Sequence, residues 1–149
     1  QDRLLVLIDY TKPSTEKRFY ILDLLQKKLL LSTYVAHGRG SGDNYAVAFS
    51  NRPGSYQSSL GFFRTGDTYM GKNGYSLFLD GLEKGINDKA RERAIVVHGA
   101  NYADPAVLKG QQRLGRSLGC PALPPDISKQ VIDTIKGGVL LYIYGLNKA

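Results

Sequence analysis

The chain reads as one mainly β domain, a small sandwich or barrel with one or two short helices, and three observations predict it. Short runs rich in leucine, β-branched and aromatic residues recur at 4–8, 18–24, 29–36, 94–98 and 139–144, the pattern of strands with one face buried. Ten of the 17 glycines fall between Gly38 and Gly85, interleaved with Tyr45, Val47, Phe49, Phe62, Phe63, Tyr69, Tyr75 and Phe78. That mixture suits short strands and tight turns better than helices. A clear helical stripe occurs near the end, where Ile127, Val131, Ile132 and Ile135 share one face.

Taken in order, residues 4–8 form an apolar strand that ends at Asp9, and residues 11–17 connect it to the next, with Pro13 and Ser14 as the turn signal. Residues 18–24 and 29–36 pair around a turn at 26–28, so the chain opens with three antiparallel strands. After the glycine-rich middle, Asn87 or Asp88 is expected to cap a short helix through Arg93, and residues 94–98 form a strand that ends on His98. Asp126 is expected to cap the second helix, Gly137 and Gly138 stop it, and residues 139–144 form the closing strand.

With 149 residues, 42% of them hydrophobic, one real core and a single domain over 1–149 are expected. No repeat or low-complexity segment interrupts it. Mean hydropathy is −0.25, and the longest apolar stretches fall well short of the roughly 20 residues of a membrane helix, so no membrane span is expected. One cysteine excludes an internal disulfide and a Cys-rich zinc site. The balance of 20 Lys and Arg against 13 Asp and Glu, a net charge of +7, favours an acidic partner: nucleic acid, an anionic membrane surface or an anionic wall polymer. Gln1 is not an initiator methionine, so a processed start with a signal segment removed is expected.

Three chemistries are suggested by the residues. The stretch Gly38-Arg39-Gly40-Ser41-Gly42 looks like a phosphate loop, but Asp43 stands where a dinucleotide fingerprint needs glycine and no Gly-Lys-Ser/Thr follows. His37, His98 and Cys120 could in principle ligate zinc, yet they lie singly in three distant segments, so no metal or other cofactor is expected. The third is a pair: His98 ends an apolar strand, and Cys120 follows glycine in Arg116-Ser117-Leu118-Gly119-Cys120-Pro121. An imidazole beside a thiol can activate it as a nucleophile, and Arg113 and Arg116 add positive potential. These residue types alone also fit a small buried cysteine and a satisfied core histidine.

The wider pattern separates the two. His98-Gly99, seventeen residues and then Ser117-x-Gly119-Cys120 resembles the signature of the YkuD-like L,D-transpeptidases. Phe49-Ser50-Asn51, Gly61-Phe62-Phe63-Arg64-Thr65-Gly66, Leu79-Asp80-Gly81-Leu82-Glu83 and Gly115-Arg116-Ser117-Leu118-Gly119-Cys120-Pro121 resemble the murein L,D-transpeptidase catalytic domain subgroup. The resemblance implies a YkuD-type β-sandwich or barrel in which Cys120, activated by His98, attacks a stem-peptide carbonyl of peptidoglycan. A thioester forms and its acyl group passes to a second stem as a 3-3 cross-link. Backbone N–H groups around Leu118 to Cys120, with Gly119 and Ser117 in the motif, would serve the oxyanion and the loop. His37, Arg39, Tyr102, Arg113 and Arg116 are candidate substrate contacts, because stem peptides carry free carboxylates. Donor and acceptor stems are the expected partners, the cell envelope or periplasm the expected compartment, a monomer the expected state, and carbapenems expected acylating agents. Two positions depart from the family pattern: Leu118 replaces a histidine, and Ala122 replaces asparagine or arginine two residues after the cysteine.

Three other readings compete. Hydrolysis of the same thioester would make the chain a carboxypeptidase. A non-catalytic wall-binding domain would be expected to have lost Cys120 or His98, and both are present. A nucleic-acid module would cluster its basic residues around a stacking motif, and neither feature occurs, so no nucleic-acid partner is expected.

Overall fold

Along the first strand every second side chain is buried: Leu4, Val6 and Ile8 point into the core and the residues between them are partly exposed. The second strand repeats this with Phe19, Ile21 and Asp23, so both lay one face on the interior. The computed structural model describes residues 2–148, and in it eight strands form one sheet. In chain order they are β1 (Leu4–Asp9), β2 (Phe19–Asp23), β3 (Lys28–Thr33), β4 (Gly61–Gly71), β5 (Gly74–Gly81), β6 (Val96–Gly99), β7 (Ala122–Leu123) and β8 (Leu140–Tyr144), with helix α1 (Pro125–Ile135) before the last.

The spatial order is β3-β2-β1-β8-β4-β5-β6-β7. Neighbours are antiparallel except β1 with β8 and β6 with β7. The parallel β1–β8 ladder, from Leu5 opposite Leu140 to Asp9 opposite Tyr144, joins the opening and closing strands of the chain in the middle of the sheet. The sheet's two edges are then drawn together. Ala36, just past β3, exchanges main-chain hydrogen bonds of 2.8 and 3.3 Å with Ala122 of β7, which curls the sheet into a nearly closed, barrel-like form. Inside lie Val6, Ile8, Phe19, Ile21, Phe63, Leu77, Leu79, Val97, Leu141 and Ile143, with Val131, Ile132 and Ile135 of α1 sealing the core.

The predicted strands at the two ends of the chain and the late helix are present. Three details differ. Residues 87–93 are a series of turns and not a helix, because the Asn87 side chain is spent on other segments. Fully buried, it donates to the carbonyls of Leu60 and Phe62 and accepts from the Glu83 N–H. Asp126 does not cap α1: the cap position is Pro124, with no side-chain bond, and Asp126 lies in the first turn. The glycine-rich middle divides unevenly, since residues 42–60 contain no strand and 61–81 are one long hairpin of 11 and 8 residues.

Thr65 couples that hairpin to the helix end. At the irregularity in the β4–β5 pairing, its buried hydroxyl donates to the Ile135 carbonyl at 2.7 Å and accepts from the N–H groups of Gly138 at 3.1 Å and Val139 at 2.8 Å. Thr65→Val keeps the shape but strands these main-chain groups, so it should lower the unfolding free energy by about 3 kcal/mol. Thr65→Ser should recover most of that. Urea denaturation of the two variants tests it, and a loss below about 0.5 kcal/mol for Thr65→Val would show the hydroxyl to be dispensable.

Candidate active site

Strand β6 carries His98 as its third residue, and the parallel register sets His98 opposite Ala122 of β7. The loop that enters β7 therefore runs beside the start of β6 and delivers Cys120 there. The thiol donates to the Ala94 carbonyl at 3.3 Å and accepts from the Val96 N–H at 3.4 Å. Ala94 holds a left-handed backbone, φ 57°, uncommon for a residue with a Cβ. A pocket of about 370 Å³ opens at this point, and Cys120, His98, Ser117, Arg116 and Tyr102 are among its lining residues.

The loop's conformation follows from Ser117 and Gly119. The buried Ser117 hydroxyl donates to the Cys120 carbonyl at 2.6 Å and accepts from the Gly119 N–H at 3.1 Å, so it staples the turn through backbone. Gly119 has φ 127°, and a Cβ there would lie 2.9 Å from Ile95 Cδ1 and 3.1 Å from the Gln57 carbonyl oxygen. Any side chain would be both strained and crowded. With the Gly119 N–H occupied, the amides of Leu118 and Cys120 are the ones in this turn that donate to no protein group among the described residues.

His98 is anchored on one side. Its Nδ1 lies 3.0 Å from the Gly99 carbonyl oxygen, and a carbonyl can only accept, so Nδ1 carries the proton and Nε2 bears the lone pair. Nε2 has no hydrogen-bond partner among the described residues, and no hydrogen bond joins the ring to the thiol. Burial lowers the His98 pKa, opposed by the Gly99 bond. Gly99 itself must be small, since a Cβ there would run into Ser128 of α1. The strand carrying the histidine is thereby pressed against the helix.

Arg93 is the charged residue that sequence reasoning missed. Half-buried in the pocket wall, its guanidinium donates to the Ser50 carbonyl at 2.9 Å, Ser59 Oγ at 2.7 Å, Ser55 Oγ at 3.1 Å and the Gln57 carbonyl at 2.8 Å. None of these is a carboxylate, so its charge is not cancelled by a partner. Burial pushes the Cys120 thiol up, while the Val96 N–H and the Arg93 and Lys72 charges draw it down. The net shift is upward, so the resting sulfur is a protonated thiol. In sequence, Arg91-Glu92-Arg93 reads as ordinary surface charge, and nothing there points to Cys120.

The candidate substrate residues divide. Tyr102 and Arg116 line the pocket, whereas Arg39, Arg113 and His37 do not. Arg39 is exposed over the Tyr56 ring, and Arg113 donates to the Leu114 carbonyl. His37 is fully buried and works behind the wall. Arg18, also fully buried, donates to the Val35 carbonyl through Nε at 3.0 Å and Nη2 at 2.6 Å, to the Lys12 carbonyl at 3.1 Å, and to His37 Nδ1 at 2.9 Å. Arginine cannot accept, so His37 is neutral and its Nε2–H donates to the Gly42 carbonyl at 3.1 Å. Burial and the Arg18 charge pull the His37 pKa down to about 4. Its backbone in turn accepts the Ser117 N–H at 3.0 Å. Among the described residues no three His, Cys, Asp or Glu side chains converge in a way that could hold a metal.

Residues 1–144 match the family described as the L,D-transpeptidase catalytic domain. No curated protein matches the sequence. An L,D-transpeptidase from Mycobacterium smegmatis has a similar structure, with 13% identity, a TM-score of 0.57, and 96% of this chain and 59% of that one covered. The LD transpeptidase LdtMt1 in complex with imipenem gives 13%, 0.56, 95% and 59%. The helical cell shape determining protein Pgp2 from Campylobacter jejuni gives 17%, 0.63, 97% and 48%. At these identities the likeness speaks for the fold, which is the YkuD-type architecture expected from the sequence. The chain spans about half to three-fifths of the length of those solved chains.

Two measurements test the electrostatics. Arg93→Met should raise the midpoint of the Cys120 titration, followed as the pH dependence of iodoacetamide alkylation, and Arg93→Lys should restore part of the difference. An unchanged midpoint in Arg93→Met would remove Arg93 from the thiol's environment. For His37, an unfolded histidine titrates near 6.5 and the folded one near 4, so its stabilising contribution is complete above about pH 6.5 and lost as the pH falls through 4. Between those values wild type should lose up to roughly 3 kcal/mol more than His37→Gln. Parallel denaturation profiles for the two proteins would contradict the assignment.

Proposed function

The chain belongs to the L,D-transpeptidase catalytic domain family, and from that premise we propose that it is a cysteine-dependent peptidoglycan L,D-transpeptidase. The observation that carries this reading is that the Cys120 thiol and the unpaired His98 Nε2 line one pocket. A buried thiol that rests protonated needs a base, and an imidazole whose other nitrogen is tied to a carbonyl is an oriented one.

In the proposed reaction the thiol proton passes to His98 Nε2 as Sγ attacks the carbonyl preceding the terminal D-alanine of a stem tetrapeptide. The Sγ–C bond forms, the C–N bond to D-alanine breaks, and the imidazolium returns the proton to the leaving amine. An amine of a second stem then attacks the thioester and gives its proton to His98. The new C–N bond completes a 3-3 cross-link, the C–S bond breaks, and the sulfur recovers its proton. The amides of Cys120 and Leu118 are the donors available to the tetrahedral oxyanions, with Ser117 and Gly119 holding the turn that aims them. Tyr102 and Arg116 contact the substrate from the pocket wall. The work is done by a monomer in the cell envelope, where peptidoglycan lies, and water in place of the second amine would make the same site a carboxypeptidase.

Cys120→Ala and His98→Gln should each lower turnover of a tetrapeptide muropeptide by about 10³-fold or more while leaving the fold intact. Retained turnover in Cys120→Ala would overturn the nucleophile assignment. The product separates transfer from hydrolysis: a cross-linked dimer supports the transpeptidase, a trimmed tripeptide alone the carboxypeptidase. Imipenem should add its mass once to the intact wild-type protein and not to Cys120→Ala, and the absence of an adduct on reduced wild type would count against an open acylation site.

A further inference from the structure

The pocket is lined by three cations, Lys72, Arg93 and Arg116, and by no carboxylate. They are not equivalent. Arg116 is paired with Asp43 at 3.1 Å and also donates to the Gly42 carbonyl. Arg93 has its guanidinium committed to four oxygens of the wall. Lys72 makes no hydrogen bond or ion pair among the described residues, and neither does the side chain of its neighbour Asn73.

Topology explains why these two reach the pocket from so far away in sequence. Strand β8 covers β4 only from Gly61 to Arg64, so the outer half of the β4–β5 hairpin projects beyond it. Tyr69 stacked on Phe78, with ring centroids 4.4 Å apart, stiffens that half. Ser76 of β5 is the register partner of His98, and Gly71 pairs with Gly74 across a two-residue turn made of Lys72 and Asn73. The tip therefore overhangs the pocket one strand away from His98, presenting an exposed ammonium and a free amide within electrostatic reach of Cys120.

We infer that this hairpin tip is an anion-reading lip, in which Lys72, assisted by Asn73, holds a carboxylate of the incoming acyl donor beside the Cys120 thiol. Resting on the peptidoglycan reading above, it makes the preferred donor a stem whose carboxylate is free and disfavours the amidated form. An ammonium with no internal partner gives up no existing protein bond when it takes up an anion, whereas Arg93 and Arg116 would first have to release contacts.

The test separates the lip from the reaction. Because Cys120 is the only cysteine, alkylation by iodoacetate and by iodoacetamide each reads out as one mass increment at one sulfur. The ratio of the two rates cancels the thiolate fraction and leaves the pocket's preference for an anion. At low ionic strength the wild-type ratio should exceed that of the neutral thiol N-acetylcysteine amide by about threefold or more. Lys72→Gln should remove most of the excess, Lys72→Glu should invert it, and 0.5 M salt should bring wild type towards Lys72→Gln. Lys28→Gln, at the exposed start of β3 and outside the pocket lining, should leave it unchanged. Equal ratios in wild type and Lys72→Gln would overturn the lip. In a second arm, wild type should turn over the free-carboxylate tetrapeptide several-fold better than its amide, and Lys72→Gln should treat them alike. Turnover of neither peptide by wild type would fault the peptidoglycan reading, and the alkylation ratios would still decide for or against Lys72.

Discussion

Much of this molecule depends on one buried cation. Arg18 sits fully inside the protein and makes no ion pair among the described residues, held by two carbonyls, the ring of His37 and the face of Tyr10, 4.8 Å from its guanidinium carbon. A buried charge is tolerated only where fixed dipoles replace water around it. Here those dipoles come from the Lys12 carbonyl and, for the rest, from the segment that leaves β3, at Val35 and His37. That β3-leaving segment exchanges hydrogen bonds with Ala122 and Ser117, which closes the barrel and fixes the cysteine loop at once. Solvation of Arg18, closure of the sheet and placement of Cys120 are therefore one construction.

The site in front of that brace is balanced and not strongly activated at rest. The thiol is protonated, with its hydrogen on the Ala94 carbonyl and opposing influences from burial and from cations in the pocket. The imidazole is neutral and oriented, and the Ser117 hydroxyl serves the turn. In the proposed reaction the substrate displaces the resting thiol bond and brings Sγ and Nε2 to a common proton. A thiol kept protonated is also less exposed to oxidation than a standing thiolate.

The legible parts of the sequence were those whose information is local. The apolar run at 4–8, the aromatic and β-branched residues of 18–24 and the stripe from Ile127 to Ile135 mark segments that meet the core, and the structure has β1, β2 and α1 there. Residues 87–93 misled because Asn87, a good cap in isolation, has its amide claimed by Leu60 and Phe62 in β4 and the loop before it. His37 stands in the sequence as a histidine at a strand end, yet its neutrality depends on Arg18, which approaches from the connection just before β2. Arg93 and Lys72 were invisible for the same reason: each looks like solvent-facing charge until the hairpin and the turn are folded against the cysteine loop.

The sequence by itself determined the mainly β character, the late helix, and the histidine and cysteine motif with its glycine, because each rests on periodicity or on neighbouring residues in the chain. Only the tertiary structure decided which basic residues face the pocket, which histidine lines it beside Cys120 and which is a buried strut, and which amides near Cys120 remain unspent. Those properties belong to contacts between segments tens of residues apart. A guanidinium or imidazole acquires its role from the dielectric and the hydrogen-bond partners that packing puts around it.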